Sequence, residues 1–178
     1  MKKTIWIPVL TILLTAAVLF AASAGLSTVR EENARRELDS MMHTILPGSG
    51  TFTEEAYTGD DANIRTAYKS ENGYVVHVVT AGYAGNISML VGVSNDGKVQ
   101  GLVVRDLQET YGLGARALTD TDFLKQFLNT DGTAAVGEDI DALTGATVTS
   151  KAVTRGVNSA VSFVTGADTS SGATAWGG

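Results

Sequence analysis

The segment best suited to carry chemistry is Asp141–Ser150, which reads DALTGATVTS. It places four hydroxyl side chains beside Gly145 and Ala146, directly before a predicted amphipathic helix at 151–164. Hydroxyls and the N–H groups that a helix leaves unpaired in its first turn can bind a phosphate, and small residues let the backbone approach a bulky ligand. The same residues also suit an ordinary helix cap at Thr149 or Ser150. From the residues alone, both interpretations stay open.

The composition excludes several other kinds of site. The sequence has no cysteine, which rules out disulfides, iron–sulfur clusters and thiolate chemistry. It has only two histidines, His43 and His77, so we do not expect a histidine-rich metal or haem site. His77 falls inside a predicted strand with no second ligand spaced nearby, and we expect it to be a structural or surface histidine.

The N-terminal region carries a long apolar run. Ile5–Leu26 contains 22 residues without a charge, which would extend about 33 Å as a helix, enough to cross a hydrocarbon core of about 30 Å. Ala22–Ala24 resembles a signal-peptide cleavage site, but the apolar core of a signal peptide is usually only about 7–15 residues long. We therefore predict a retained transmembrane helix. Lys2 and Lys3 precede it, so the positive-inside rule places the N-terminus in the cytoplasm and the remaining chain outside.

The rest of the chain is acidic. Of the 13 basic residues, two precede the apolar run, which leaves 11 against 19 acidic residues and a net charge of −8. Such a domain is poorly suited to binding nucleic acid or anionic lipid headgroups.

The apolar pattern predicts an α+β domain after the membrane segment. Predicted helices cover 30–45, 120–128 and 151–164. Predicted strands cover 74–80, 87–94 and 99–104. Asn95–Gly97 forms the expected tight turn between the last two strands, and Asp120 or Thr121 is expected to cap the short helix. The order of these elements favours antiparallel strands with flanking helices.

Two motifs resemble those of known flavoproteins. Thr144–Thr149 is similar to the [Ser/Thr]-Gly-Ala-Thr-x-Thr motif of FMN-binding domains, and Asp141–Leu143 resembles the usual lead-in to it. Gln108–Gly114 resembles the Glu-Thr-Pro-Gly-Leu-Gly signature of the G subunit of the Rnf electron-transport complex and of the C subunit of the sodium-pumping NADH:quinone reductase. Tyr111 stands where the signature has proline. Without the threonine motif, this second segment would be read as a turn-rich loop.

The resemblance implies a covalent flavin. In that family a flavin transferase joins the FMN phosphate to the last threonine of the motif, with FAD as donor, and the matching residue is Thr149. The implied cofactor-binding residues are Thr149, Thr144, Gly145, Ala146, Thr147, Val148, Ser150, Glu109, Thr110, Gly112, Leu113 and Gly114. The resemblance implies no catalytic or metal-binding residue.

The implied protein is an electron-carrying subunit of a membrane-bound, ion-translocating ferredoxin:NAD oxidoreductase complex, which is not catalytic alone. Its expected partners are the other membrane subunits and the flavin transferase. The expected divisions are a cytoplasmic N-terminus at 1–4, a transmembrane helix at 5–26, a juxtamembrane helix and linker at 27–50, an extracytoplasmic FMN-binding domain at 51–166 and a flexible tail at 167–178. Two alternatives are a stand-alone membrane-anchored FMN electron carrier and an anchored binding module without redox function.

Overall fold

The fold was analysed in a computed structural model, which describes residues 3–107 and 119–167. The chain divides into two compact units, Met1–Ser40 and Met41–Gly178. The predicted glycine-rich loop and most of the predicted tail lie outside the described residues.

The chain begins with a long helix. Helix α1 covers Lys3–Ile45 without interruption, so the helices predicted at 5–26 and 30–45 form one element. On its polar part, Arg36 Nη2 and Glu32 Oε1 form an i,i+4 ion pair at 2.5 Å. Its large apolar side chains are exposed at Trp6, Leu10, Ile12, Leu13, Leu14, Val18, Leu19 and Phe20. Within the described part of the chain, no helix is both long enough and apolar enough to cross a membrane. The predicted transmembrane helix is therefore not confirmed.

A five-stranded antiparallel sheet forms the centre of the second unit. Its strands are β1 (Thr53–Ala56), β2 (Ile64–Ser70), β3 (Gly73–Ala81), β4 (Asn86–Ser94) and β5 (Val99–Leu107). They pair in sequence order as a meander. The three predicted strands are confirmed as β3, β4 and β5, and the tight turn after Ser94 joins the last two, with Ser94 N–H donating to Lys98 O at 2.9 Å.

Two further helices pack near the sheet. Helix α2 covers Thr121–Lys125, and the Asp120 carboxylate caps it by accepting from Phe123 N–H at 3.1 Å. Helix α3 covers Thr147–Thr165. Its buried residues Val153, Val157 and Val161 pack with strand residues such as Met89 and Val91 in the main core. Gly156 lets α3 approach the sheet closely, because a Cβ there would lie 3.1 Å from Thr80 Cγ2 and from Met89 Cε.

The end of α1 packs against the sheet through a pair of glycines. Gly92 and Gly101 are register partners on β4 and β5. A Cβ on either glycine would lie within 2.9 Å of the Ile45 carbonyl oxygen. The two missing side chains therefore create the space that the buried residue Ile45 occupies.

Candidate functional site

The predicted phosphate-binding segment lies at the N-terminus of α3. This helix begins at Thr147, four residues earlier than predicted, with Ala146 as its N-cap and no side-chain capping bond. The prediction that Thr149 or Ser150 caps the helix is therefore wrong, since both lie within its first turn. Ser150 N–H donates to Ala146 O at 2.9 Å, so the amides of Thr147, Val148 and Thr149 precede the first intrahelical bond. These amides and the positive end of the helix dipole favour an anion.

A tight turn leads into the helix. Ala146 N–H donates to Leu143 O at 2.9 Å, and Gly145 at the third position has φ +77°. A β-turn with positive φ at its third position favours glycine, because a Cβ would be strained there. The backbone conformation of this turn thus explains Gly145. Thr144 and Gly145 are both exposed at the turn.

Ser150 holds the turn against the helix. Its Oγ accepts from Leu143 N–H at 3.0 Å and donates to Ala146 O at 3.0 Å. The side chain is 0% exposed. Both bonds are to the backbone of the turn, so the structure gives Ser150 a role in shaping the site. Its predicted contact with the cofactor stays a prediction.

Thr149 carries the hydroxyl that the threonine motif predicts as the attachment point. It is 1% exposed and lies at the third position of α3, within the first turn. Elsewhere on α3, Thr154 Oγ1 donates to Ser150 O and Thr165 Oγ1 donates to Val161 O, each at 2.9 Å. An uncapped helix start and a turn that favours glycine fit a phosphate group at this site.

Gln126 supports the other end of the segment. Its Oε1 accepts from Asp141 N–H at 2.7 Å, and its Nε2 donates to Asp141 O at 3.3 Å. The sequence did not indicate this residue, because a glutamine fifteen positions before the segment, beside a short helix, carries no recognisable signal. Ile140, directly before Asp141, and Leu143, two residues after it, both have buried side chains. The Gln126 bonds and these buried neighbours therefore hold the beginning of the segment in place.

A cleft of about 460 Å³ opens between α2 and the segment. Its walls include Phe123, Gln126, Leu143 and Thr144. Asp120, Asp122 and Asp141 also line it. Carboxylates disfavour a phosphate, so the start of α3 suits the phosphate better than the cleft does.

His77 has a partner within the sheet. Its Nε2 lies 2.9 Å from Ser88 Oγ, and burial, followed by the nearby charges of Arg105 and Arg65, lowers its pKa below 6.5.

Only some of the predicted site residues lie in the part of the chain that the structure describes. Thr144, Gly145, Ala146, Thr147, Val148, Thr149 and Ser150 lie together at the turn and the start of α3. Glu109, Thr110, Gly112, Leu113 and Gly114 lie outside the described residues. Contact between the two motifs therefore stays a prediction.

Comparison with known proteins supports the flavin interpretation of the site. Residues 82–162 match the model of a family described as FMN-binding domain, and this range includes the whole threonine motif. The match supports FMN as the ligand.

Several curated relatives share sequence with this chain. The G subunit of the Na(+)-translocating ferredoxin:NAD(+) oxidoreductase complex of Acetobacterium woodii is 40% identical over 98 residues, covering 50% of this chain and 47% of the relative. The proton-translocating counterpart of Clostridium ljungdahlii is 44% identical over 99 residues, covering 52% of this chain and 53% of the relative. The chain thus spans about half the length of these two relatives.

A third similarity extends over most of both chains. The G subunit of the ion-translocating oxidoreductase complex of Methanosarcina acetivorans is 32% identical over 177 residues, covering 86% of this chain and 93% of the relative. The uncapped start of α3 and its threonine motif lie within the FMN-binding domain match. The chain therefore belongs to the G-subunit family of ion-translocating oxidoreductase complexes.

Proposed function

We propose that this chain carries electrons, through FMN bound covalently to Thr149, in a membrane-bound ion-translocating ferredoxin:NAD oxidoreductase complex. The observation that carries the proposal is the uncapped start of α3, which places the Thr149 hydroxyl in the first helical turn. The names of the relatives in Acetobacterium woodii and Clostridium ljungdahlii support the oxidoreductase complex.

The attachment chemistry is a phosphoryl transfer to a hydroxyl. Thr149 Oγ1 forms a bond to the phosphorus on the FMN side of FAD, and the bond from that phosphorus to the bridging oxygen breaks. The leaving group is AMP, and the hydroxyl proton passes to solvent or to a base of the flavin transferase. The first-turn amides of α3 stabilise the phosphate charge, and the exposed Thr147 hydroxyl is placed to donate to it.

The chain's own task is binding and orientation. A bound flavin supplies the electron transfer, while the protein sets its position and electrostatic surroundings. The turn at Leu143–Ala146 and the Ser150 hydroxyl fix the backbone beside the phosphate. When bound, the flavin would exchange electrons with neighbouring subunits of the complex, and the residues of this chain would hold and orient it.

Co-expression with a flavin transferase tests the covalent assignment. The denatured protein should give a flavin-fluorescent band whose mass exceeds that of the bare chain by FMN less one water. Thr149→Val should abolish the band, whereas Thr147→Val, which removes a hydroxyl two residues away, should retain it. A fluorescent Thr149→Val band would overturn the tether. Failure to co-purify with integral-membrane subunits would favour a stand-alone electron carrier.

The apolar part of α1 is proposed to anchor the chain, with its N-terminus in the cytoplasm and the sheet outside. The uncharged run at Ile5–Leu26 and its exposed apolar side chains support this arrangement. The cysteine-free sequence allows a direct test. A membrane-impermeant maleimide should label Tyr83→Cys in intact cells, but Lys3→Cys only after permeabilisation. Equal labelling of the two variants in intact cells would contradict this topology.

A further inference from the structure

We propose that Gln126 is a positioning residue for the cofactor site, acting through the backbone of Asp141. This inference rests on the proposed function, because it concerns where the attachment segment is held. Gln126 lies outside the threonine motif, at the C-cap of α2. Its side-chain amide forms two hydrogen bonds with one residue, through Oε1 to Asp141 N–H at 2.7 Å and through Nε2 to Asp141 O at 3.3 Å.

This double contact restrains the segment at its beginning. A carboxamide that both accepts from and donates to one backbone residue fixes the direction of the chain as well as its position. Gln126 itself is held in place because Phe123 and Phe127 on either side are buried and pack edge-to-face with ring centroids 5.3 Å apart. The restraint therefore extends from the packed aromatic pair through Gln126 to the backbone of Asp141.

The two ends of the segment are held by separate side chains. Ser150 bonds the turn at Leu143 and Ala146, while Gln126 bonds Asp141 two residues before that turn. Only Ala142 lies between the two bonded regions. Loss of the Gln126 contacts frees the lead-in without removing any group from the predicted phosphate site. The segment then samples more conformations, and a smaller fraction of molecules presents Thr149 in the geometry needed for attachment.

The first test measures the segment directly in the full chain without flavin. Gln126→Met preserves the size of the side chain and removes both hydrogen bonds. Hydrogen exchange of the Asp141 amide should accelerate about tenfold, equivalent to about 1.4 kcal/mol, while amides in β3 and β4 exchange as in the wild type. Gln100→Met is the matched control, because Gln100 is exposed and its Nε2 donates to a side-chain hydroxyl, Ser94 Oγ, at 3.3 Å. Unchanged exchange at Asp141 in Gln126→Met would overturn the proposal.

The second test measures covalent FMN incorporation by intact mass with flavin transferase and FAD. Gln126→Met should incorporate FMN about tenfold more slowly than the wild type and Gln100→Met. Gln126→Glu adds a pH-dependent rescue. A protonated carboxyl both accepts and donates, whereas the ionised form only accepts. Asp120, Asp122 and Asp141 line the same cleft, so each rate is taken relative to the wild type at that pH.

The expected incorporation rates distinguish the positioning role of Gln126 from the proposed function. The deficit of Gln126→Glu should shrink as the pH falls from 7 towards the ordinary glutamate pKa of about 4.3, while that of Gln126→Met stays constant. Equal rates for Gln126→Met and the wild type would refute the positioning role and leave the proposed function intact. A wild-type protein that takes up no FMN would refute the proposed function, and the positioning role with it.

Discussion

Substitution of Ser150 by alanine is expected to destabilise the turn that precedes α3. The substitution removes the bonds from Ser150 Oγ to Leu143 N–H and to Ala146 O, both at 3.0 Å. Ala146 O keeps its bond from Ser150 N–H, so it remains satisfied. Leu143 lies in the core cluster and its amide loses its partner. A buried donor left without a partner costs about 1–3 kcal/mol, and we expect a loss of about 2 kcal/mol in the free energy of unfolding.

Denaturant unfolding of the full chain measures this loss, with Thr154→Val as the control. Thr154 lies one turn later on α3, is also buried, and donates from Oγ1 to Ser150 O at 2.9 Å. Its replacement by valine removes a hydroxyl but leaves no backbone donor unpaired. It should therefore cost less than about 1 kcal/mol. Equal losses for Ser150→Ala and Thr154→Val would refute the reasoning, because the Leu143 amide would then not depend on Ser150.

Two further predictions concern the sheet. Gly92→Ala should lower the free energy of unfolding by about 1–3 kcal/mol, because its Cβ would lie 2.9 Å from the Ile45 carbonyl oxygen. Thermal unfolding measures this loss. An unchanged melting temperature would contradict the close contact between Gly92 and Ile45. The pKa of His77 is lowered by burial and then by Arg105 and Arg65, so the unfolded chain binds a proton more readily than the folded chain. His77 should thus contribute stability above its ordinary pKa of 6.5 that is lost as the pH falls below that value. His77→Gln should flatten the pH dependence of the melting temperature between pH 7 and 5, and a dependence equal to that of the wild type would argue against this assignment.

The sequence predicted the strongly patterned elements and missed those that depend on tertiary contacts. Strands β3, β4 and β5 are rich in valine, and a tight turn joins the last two, so local signals sufficed. β1 reads TEEA and β2 reads IRTAYKS, which lack a clear strand pattern. These two strands form because β3 offers an edge for β2, and β2 offers one for β1.

At the candidate site, too, local sequence patterns predicted some features and missed those that depend on tertiary contacts. The threonine motif predicted a site at Thr149 and its neighbours, which lie at the start of α3, but the predicted start of that helix was wrong by four residues. Thr149 and Ser150 are favourable helix caps, and that preference concealed the turn at Gly145, which ends at Ala146. The bonds from Ser150 to Leu143 and from Gln126 to Asp141 link residues seven and fifteen positions apart. No local pattern specifies such pairs.

The burial of Thr149 has a consequence for the order of maturation and for the lifetime of the product. A residue that is 1% exposed cannot meet a large enzyme until the groups that cover it move aside. Under the proposed tether, flavin attachment would therefore either precede completion of the fold or require a transient local opening. In the folded domain, the buried position of Thr149 would also shield the proposed phosphoester from hydrolytic enzymes, so the tethered cofactor would last as long as the fold does.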